Sequence, residues 1–137
     1  MKKYIFLPFL LGIAAFLSDC QRDPYREGAR LYKVHCSNCH GENGIGLGGL
    51  IPPLAGSDFL KTHRSDLACI LSKGLTETDT LTVNGQQYFG QAMPANPALS
   101  EFHVANLLNY INSSWDNQNP EFKIEEVRAA LSSCTTR

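Results

Sequence analysis

Hydrophobic and polar positions along the chain predict a fold made mainly of helices. Residues 23–35 repeat apolar and small positions at helical spacing, with Asp23 as the expected cap and Pro24 in the first turn. Three further segments carry helical periodicity or boundary signals: 65–73, which ends at Gly74, Ser100 to about 114, and 123–131. The pattern therefore predicts an all-α domain.

One segment departs from the helical pattern. Residues 81–90 read LTVNGQQYFG, in which Asn84-Gly85 separates two short runs of strand type. An Asn-Gly pair between such runs favours a two-residue turn, so this segment predicts a small β-hairpin. Tyr88 lies in the second run, either at the surface or turned toward a bound group.

The amino-terminal segment predicts export. Lys2 and Lys3 precede residues 4–17, an uncharged run that is short for a bilayer span and typical of a secretory signal; a buried helix is the alternative. Leu17-Ser18-Asp19-Cys20 resembles a bacterial lipoprotein cleavage box. That resemblance implies a signal peptide at 1–19 and a lipid anchor on Cys20, on the periplasmic side of the membrane; plain secretion is the other possibility.

Size and charge restrict the function further. The chain has 137 residues and a formal net charge of −1, with no run of Lys or Arg. Nucleic-acid binding therefore has no electrostatic support. After a short tether at 20–24, residues 25–137 suit one domain with one core.

The most specific chemical signal is Cys36-Ser37-Asn38-Cys39-His40. A structural zinc site needs four ligands, usually from two such pairs, and the chain has no second Cys-x-x-Cys. A thioredoxin-type pair follows a strand, whereas a helix is predicted here. A histidine directly after the second cysteine favours covalent haem c, with Cys36 and Cys39 as the attachment points and His40 as the proximal iron ligand.

Met93 is the candidate for the second axial ligand. It is the one methionine besides Met1, and Gly90, Pro94 and Pro97 around it predict irregular chain rather than a helix face. A neutral thioether favours Fe(II). The other histidines are expected at the surface: His35, His63 and His103.

These motifs together resemble a class I monohaem c-type cytochrome. In that family a glycine and an aromatic residue precede the haem motif, matched by Gly28 and Tyr32. They meet a carboxy-terminal helix with a Leu-x-x-aromatic pair, matched by Leu107 and Tyr110. The resemblance implies three main helices around one covalently bound haem, with the hairpin just before the methionine loop. It also implies that the carbonyl of Pro52, or of Pro53, accepts the Nδ1–H of His40.

The resemblance implies a one-electron carrier rather than an enzyme, with no small-molecule substrate. Its partners would be redox proteins: a terminal oxidase, a reductase or a dehydrogenase. The chain could equally serve as the cytochrome subunit of a redox enzyme complex. The alternative from another class is a haem enzyme or gas sensor, whose sixth ligand would have to be displaceable.

The remaining cysteines leave one pairing open. With lipid on Cys20 and haem on Cys36 and Cys39, the residues left are Cys69 and Cys134. They form either one disulfide or two separate buried thiols. Trp115 is expected to pack between the last two helices.

Overall fold

The computed structural model describes residues 23–134. They form six α-helices and one two-stranded antiparallel hairpin, which confirms the predicted fold class. The helices are α1 (Arg26–His35), α2 (Ser37–His40), α3 (Phe59–Thr62), α4 (Leu67–Lys73), α5 (Glu101–Ser113) and α6 (Ile124–Ser133). The strands are β1 (Leu81–Val83) and β2 (Gln86–Tyr88). The expected signal peptide at 1–19 and the lipid-bearing Cys20 lie outside the described residues.

The first helix begins later than predicted. Its N-cap is Tyr25, and no side chain caps it. Asp23 Oδ1 instead accepts the Tyr25 N–H at 2.9 Å, and Asp23 O accepts the Arg26 N–H at 3.3 Å. The assignment of Asp23 as the helix cap is therefore wrong, because its carboxylate closes a separate turn, containing Pro24, before the helix starts.

The crossing of α1 and α5 forms the centre of the fold. A Cβ on Gly28 would lie 2.2 Å from Asn106 O and 2.5 Å from Tyr110 Cβ, so only glycine allows this approach. The Tyr32 and Tyr110 rings pack beside the crossing with centroids 5.5 Å apart, and Leu107 is fully buried. The predicted crossing is confirmed.

Gly28→Ala should destabilise the protein by about 1–3 kcal/mol, the usual cost of overpacking a tight contact. The sign is informative, because alanine normally stabilises a helix by about 0.5–1 kcal/mol relative to glycine. Denaturant unfolding of the holoprotein measures the change. Gly48→Ala is the control, since a Cβ there meets no atom within 4 Å. Equal midpoints for the two variants would contradict a steric limit at the crossing.

Local signals place the middle elements correctly. Gly74 ends α4 with φ +74°, and Asn84 and Gly85 form the hairpin turn with φ of +52° and +79°. Residues 64–66 form a 3₁₀ turn rather than part of the predicted helix. The hairpin is held by a reciprocal pair: Asn84 N–H donates to Asp58 Oδ1 at 2.7 Å, and Asp58 N–H donates to Asn84 Oδ1 at 3.0 Å. This pair fixes the hairpin against the start of α3.

Helix α5 begins at the predicted cap and ends within one residue of the predicted end. Ser100 Oγ accepts the His103 N–H at 3.3 Å, and His103 Nδ1 accepts the Ser100 N–H at 3.4 Å. His103 is half-buried in this role. It therefore acts as a capping residue rather than as a freely solvated side chain.

The carboxy-terminal part is fastened to α4 and α5. Val127 of α6 is fully buried. Arg64 bonds to the Glu126 carboxylate at 2.8 and 3.0 Å, and its guanidinium lies 3.6 Å from the centre of the Phe122 ring. A disulfide joins Cys69 in α4 to Cys134, just after α6, with the Cα atoms 5.6 Å apart and 65 positions between them in sequence.

Trp115 does not lie between the last two helices, and that prediction is wrong. Its ring centre is 5.1 Å from that of Tyr32 and 5.9 Å from that of Tyr110, and it covers Gly44. Trp115 and Asp116 have φ of +51° and +61°, so the chain turns sharply after α5. This turn directs the indole back onto α1.

Candidate functional site

A mainly apolar cavity of about 250 Å³ opens between the α1–α2 junction, α4, the hairpin and the chain around Met93. The proposed attachment and ligand residues all line it: Cys36, Cys39, His40 and Met93. Most of the remaining lining is aliphatic or aromatic, from side chains such as Leu54, Phe59, Leu60, Leu71 and Val83. The structure therefore brings together the residues that the sequence singled out.

His40 is held in one orientation and one tautomer. Its backbone N–H donates to Cys36 O at 2.9 Å, and its Nδ1 lies 3.0 Å from Pro52 O. Because a carbonyl oxygen can only accept, Nδ1 carries the proton and Nε2 keeps its lone pair. Burial lowers the pKa of His40, partly offset by the bond to Pro52, so the neutral imidazole is favoured. The structure selects Pro52 over Pro53.

The two thiols have different surroundings. Cys36 is buried at the end of α1, and burial, followed by the charge of Cys39, raises its pKa to about 11. Cys39 is exposed. In the described part of the chain these are the thiols outside a disulfide. Tyr32 O–H donates to Gly41 O at 2.6 Å and so ties α1 to the turn after His40.

The glycine-rich loop, residues 41–51 (GENGIGLGGLI), brings Pro52 to His40. Gly46 N–H donates to His40 O at 2.9 Å, and a Cβ on Gly46 would lie 2.2 Å from Ile51 O. Gly44 O accepts the N–H groups of Leu54 and Ala55 at 2.7 and 2.9 Å. The loop thus folds back over itself, and the missing side chains at its glycines make that close return possible.

Met93 is half-buried and is fixed through its backbone. Leu75 N–H donates to Met93 O at 2.9 Å, and Met93 N–H donates to Leu75 O at 2.9 Å. This isolated antiparallel bridge attaches the methionine segment, residues 90–97 (GQAMPANP), to the end of α4. No sequence signal indicated the bridge, because one residue pair has no period to recognise.

Asn117 is a supporting residue that the sequence did not reveal. It is 6% exposed, and its Nδ2 donates to Leu54 O at 3.1 Å and to Ile111 O at 2.8 Å. Its Oδ1 accepts the Gly56 N–H at 2.8 Å. One side chain thereby connects the end of α5 to the segment just after Pro52, and nothing in the local sequence distinguishes it from its neighbouring polar residues.

The other candidate side chains have separate positions. His35 is exposed at the edge of the cavity, whereas His63 stacks on Phe59 at 4.0 Å and lies outside the cavity lining. Tyr88 is 8% exposed and lines the cavity, so the alternative of a surface tyrosine is wrong. Within residues 23–134, His40 is thus the half-buried imidazole of the cavity and Met93 its half-buried thioether.

The cavity fits a haem by the chemistry of its donors. Two nearby thiols can form thioethers to a porphyrin, an imidazole presents a free Nε2, and a methionine supplies a neutral sulfur in an apolar surrounding. The fold and this set of residues define a haem-binding protein of the c type.

The chain belongs to the cytochrome c family, since residues 25–115 match the family model for cytochrome c. It is 32% identical to cytochrome c-552 of Thermus thermophilus over 111 residues, covering 74% of this chain and 82% of that protein. It is 30% identical to the cytochrome c subunit of the quinone alcohol dehydrogenase of Gluconacetobacter polyoxogenes over 95 residues, covering 68% of this chain and 19% of that subunit. The chain is accordingly an electron-transfer cytochrome with covalently bound haem c.

None of the helices between residues 23 and 134 is long and apolar enough to cross a bilayer. No group of three or more His, Cys, Asp or Glu side chains in that part of the chain could hold a bare metal ion.

Proposed function

We propose that the protein is a periplasmic one-electron carrier, in which Cys36 and Cys39 attach the haem and His40 and Met93 bind its iron. The contact between His40 Nδ1 and Pro52 O carries this proposal. It leaves Nε2 as the free nitrogen of an imidazole that lines the same cavity as both thiols and Met93.

The residues around the haem explain why the protein would transfer electrons without binding a substrate. When bound, the haem supplies an Fe(III)/Fe(II) couple that accepts or releases one electron. Pro52 keeps the His40 ring in place and raises its basicity. The neutral sulfur of Met93 and the apolar lining favour the less charged oxidation state. Two protein ligands leave no open position for a substrate, so the site suits electron transfer.

Optical spectra of the purified holoprotein test this proposal. The oxidised protein should show a Met–Fe charge-transfer band, and the reduced protein should not bind carbon monoxide. The haem should stay on the polypeptide in acidified acetone, whereas the double variant Cys36→Ala, Cys39→Ala should release it. A five-coordinate spectrum with ready carbon monoxide binding would instead support the haem enzyme or gas sensor.

The chain bordering the cavity suits transient docking of redox proteins. Residues 43–57 and 80–100 contain no Asp, Glu, Lys, Arg or His. Leu47 and Leu50 on the glycine-rich loop and Phe89 after the hairpin are 56%, 50% and 69% exposed. Weak electron-transfer complexes use interfaces below about 1,200 Å², which a patch of this kind can supply.

Leu47→Glu should slow electron exchange with native membranes by about tenfold, the loss expected when a charge enters a small apolar contact. Leu47 does not line the cavity, so the reduction potential should stay near that of the wild type. Phe102→Glu is the matched control, since Phe102 is also exposed, at 58%, but lies on α5 outside the cavity lining. Similar rates for the two variants would exclude docking at the loop.

Partner and location are also proposed. The match to a dehydrogenase cytochrome subunit supports electron exchange with a dehydrogenase, and a reductase or terminal oxidase would be the other partner. Export and lipidation at Cys20 would keep the domain close to such membrane complexes.

Labelling with a radioactive fatty acid should mark the wild type but not Cys20→Ala. Co-purification from native membranes should identify the partner.

A further inference from the structure

The methionine segment lies against the carboxyl end of α4. Two backbone hydrogen bonds of 2.9 Å join Leu75 to Met93 in both directions. Among the described residues this is one of two isolated bridges, the other lying within the glycine-rich loop. Asn96 Nδ2 adds a bond to Pro94 O at 3.2 Å and a long one to Leu71 O at 3.5 Å. The segment is thus attached to α4 on both sides of Pro94.

Gly74 allows this approach. A Cβ at this position would lie 2.2 Å from Met93 O and 2.7 Å from Ala95 N. Both neighbours are backbone atoms, so the clash with a new Cβ could not be relieved by a change of side-chain rotamer. An alanine here would push the methionine backbone away from α4.

Helix α4, which supports the bridge, is anchored in the core. Leu67 and Leu71 of α4 are buried in the core, 5% and 6% exposed, and Cys69 of the same helix is bonded to Cys134. A short helix held in this way cannot easily follow the methionine segment if that segment moves. The position of the Met93 backbone is therefore set by its contacts with the end of α4.

We propose that Gly74 and Leu75 are positioning residues that hold the Met93 thioether at the haem. The inference rests on the proposed role of Met93 as an axial ligand. The bridge fixes the Met93 backbone, and Gly74 lets it lie close enough to α4 for the side chain to reach into the cavity. Displacement of the backbone would lengthen or break the bond between sulfur and iron.

Gly74→Ala tests the proposal in the holoprotein, with Gly90→Ala as the matched control. Gly90 has φ +76° against +74° for Gly74, and a Cβ on Gly90 meets nothing within 4 Å. Both variants therefore place alanine at a positive φ, but only at Gly74 would the new Cβ meet the backbone around Met93. We expect Gly74→Ala to weaken the Met–Fe band and to bind imidazole about tenfold or more tightly, while Gly90→Ala resembles the wild type. Equal imidazole affinities in the two variants would overturn the proposal.

Met93→Ala in the same assays distinguishes the ligand role of Met93 from the positioning role of Gly74. If Met93→Ala leaves the spectrum and imidazole affinity unchanged, the ligand role itself fails. If Met93→Ala changes them and Gly74→Ala does not, only the positioning role fails. If the Gly74→Ala variant does not fold and take up haem, hydrogen exchange in the wild-type holoprotein provides the test. The Leu75 and Met93 amides should exchange slowly and at matching rates. Exchange of either amide at the rate of a free peptide would show that the bridge does not hold the Met93 backbone and would overturn the proposal.

Discussion

Replacement of Met93 by alanine should lower the reduction potential by on the order of 0.1 V and open the reduced protein to carbon monoxide. The neutral thioether stabilises Fe(II), so its loss favours the oxidised form. For a one-electron couple 59 mV is a factor of ten, so a drop of about 0.1 V shifts the equilibrium roughly 50-fold. This is the largest functional change that the proposed site predicts.

Potentiometric titration and carbon monoxide difference spectra measure the two effects. Met93→Leu is the control for volume, because leucine fills a similar space without a sulfur atom. Like Met93→Ala, it should have a lowered reduction potential and no Met–Fe band, but it should keep more of the folding stability. A Met93→Leu protein with wild-type potential that still excludes carbon monoxide would show that the sulfur is not a ligand.

Removal of the Cys69–Cys134 disulfide should lower the free energy of unfolding by about 4 kcal/mol, from the chain-entropy cost of a loop of this length. The bridge closes 65 positions of sequence and attaches the segment after α6 to α4. Its loss leaves α6 held by the buried Val127 and by the ion pairs Arg64–Glu126 and Arg128–Glu101, whose side chains are between 26% and 55% exposed. Exposed pairs contribute little, so the disulfide is the larger restraint.

Denaturant unfolding of the double variant Cys69→Ser, Cys134→Ser gives this difference directly. A reducing agent should shift the wild-type midpoint toward that of the variant and should leave the variant unchanged. Alkylation of the unfolded, unreduced holoprotein should find neither Cys69 nor Cys134 free. A wild-type midpoint that is insensitive to reduction would contradict a stabilising bridge.

The features predicted from sequence depend on signals that act over a few residues. Gly74 ends a helix and Asn84-Gly85 makes a turn because those residues accept positive φ at little cost, whatever lies elsewhere in the chain. The order Cys-x-x-Cys-His is equally local. Pro52 could be predicted only through the family resemblance, and the structure favours it over Pro53 because its carbonyl oxygen lies 3.0 Å from His40 Nδ1.

The features that sequence did not reveal depend on partners far along the chain. Asn117 bonds to Leu54 and Gly56, 63 and 61 positions away, and an isolated asparagine gives no sign of such partners. Trp115 was misplaced because positive φ at a tryptophan has no sequence signature, although it decides which helix the indole meets. The bridge between Leu75 and Met93 likewise exists only once α4 is packed.

Two uncharged segments beside the cavity, residues 43–57 and 80–100, affect how encounters with a partner depend on ionic strength. These segments contribute no charge of their own to long-range steering, so ions in solution have little to screen along them. Encounter rates should therefore change little with ionic strength. Docking at this face, as proposed, would therefore accept an acidic partner or a basic one over a wide range of salt concentrations.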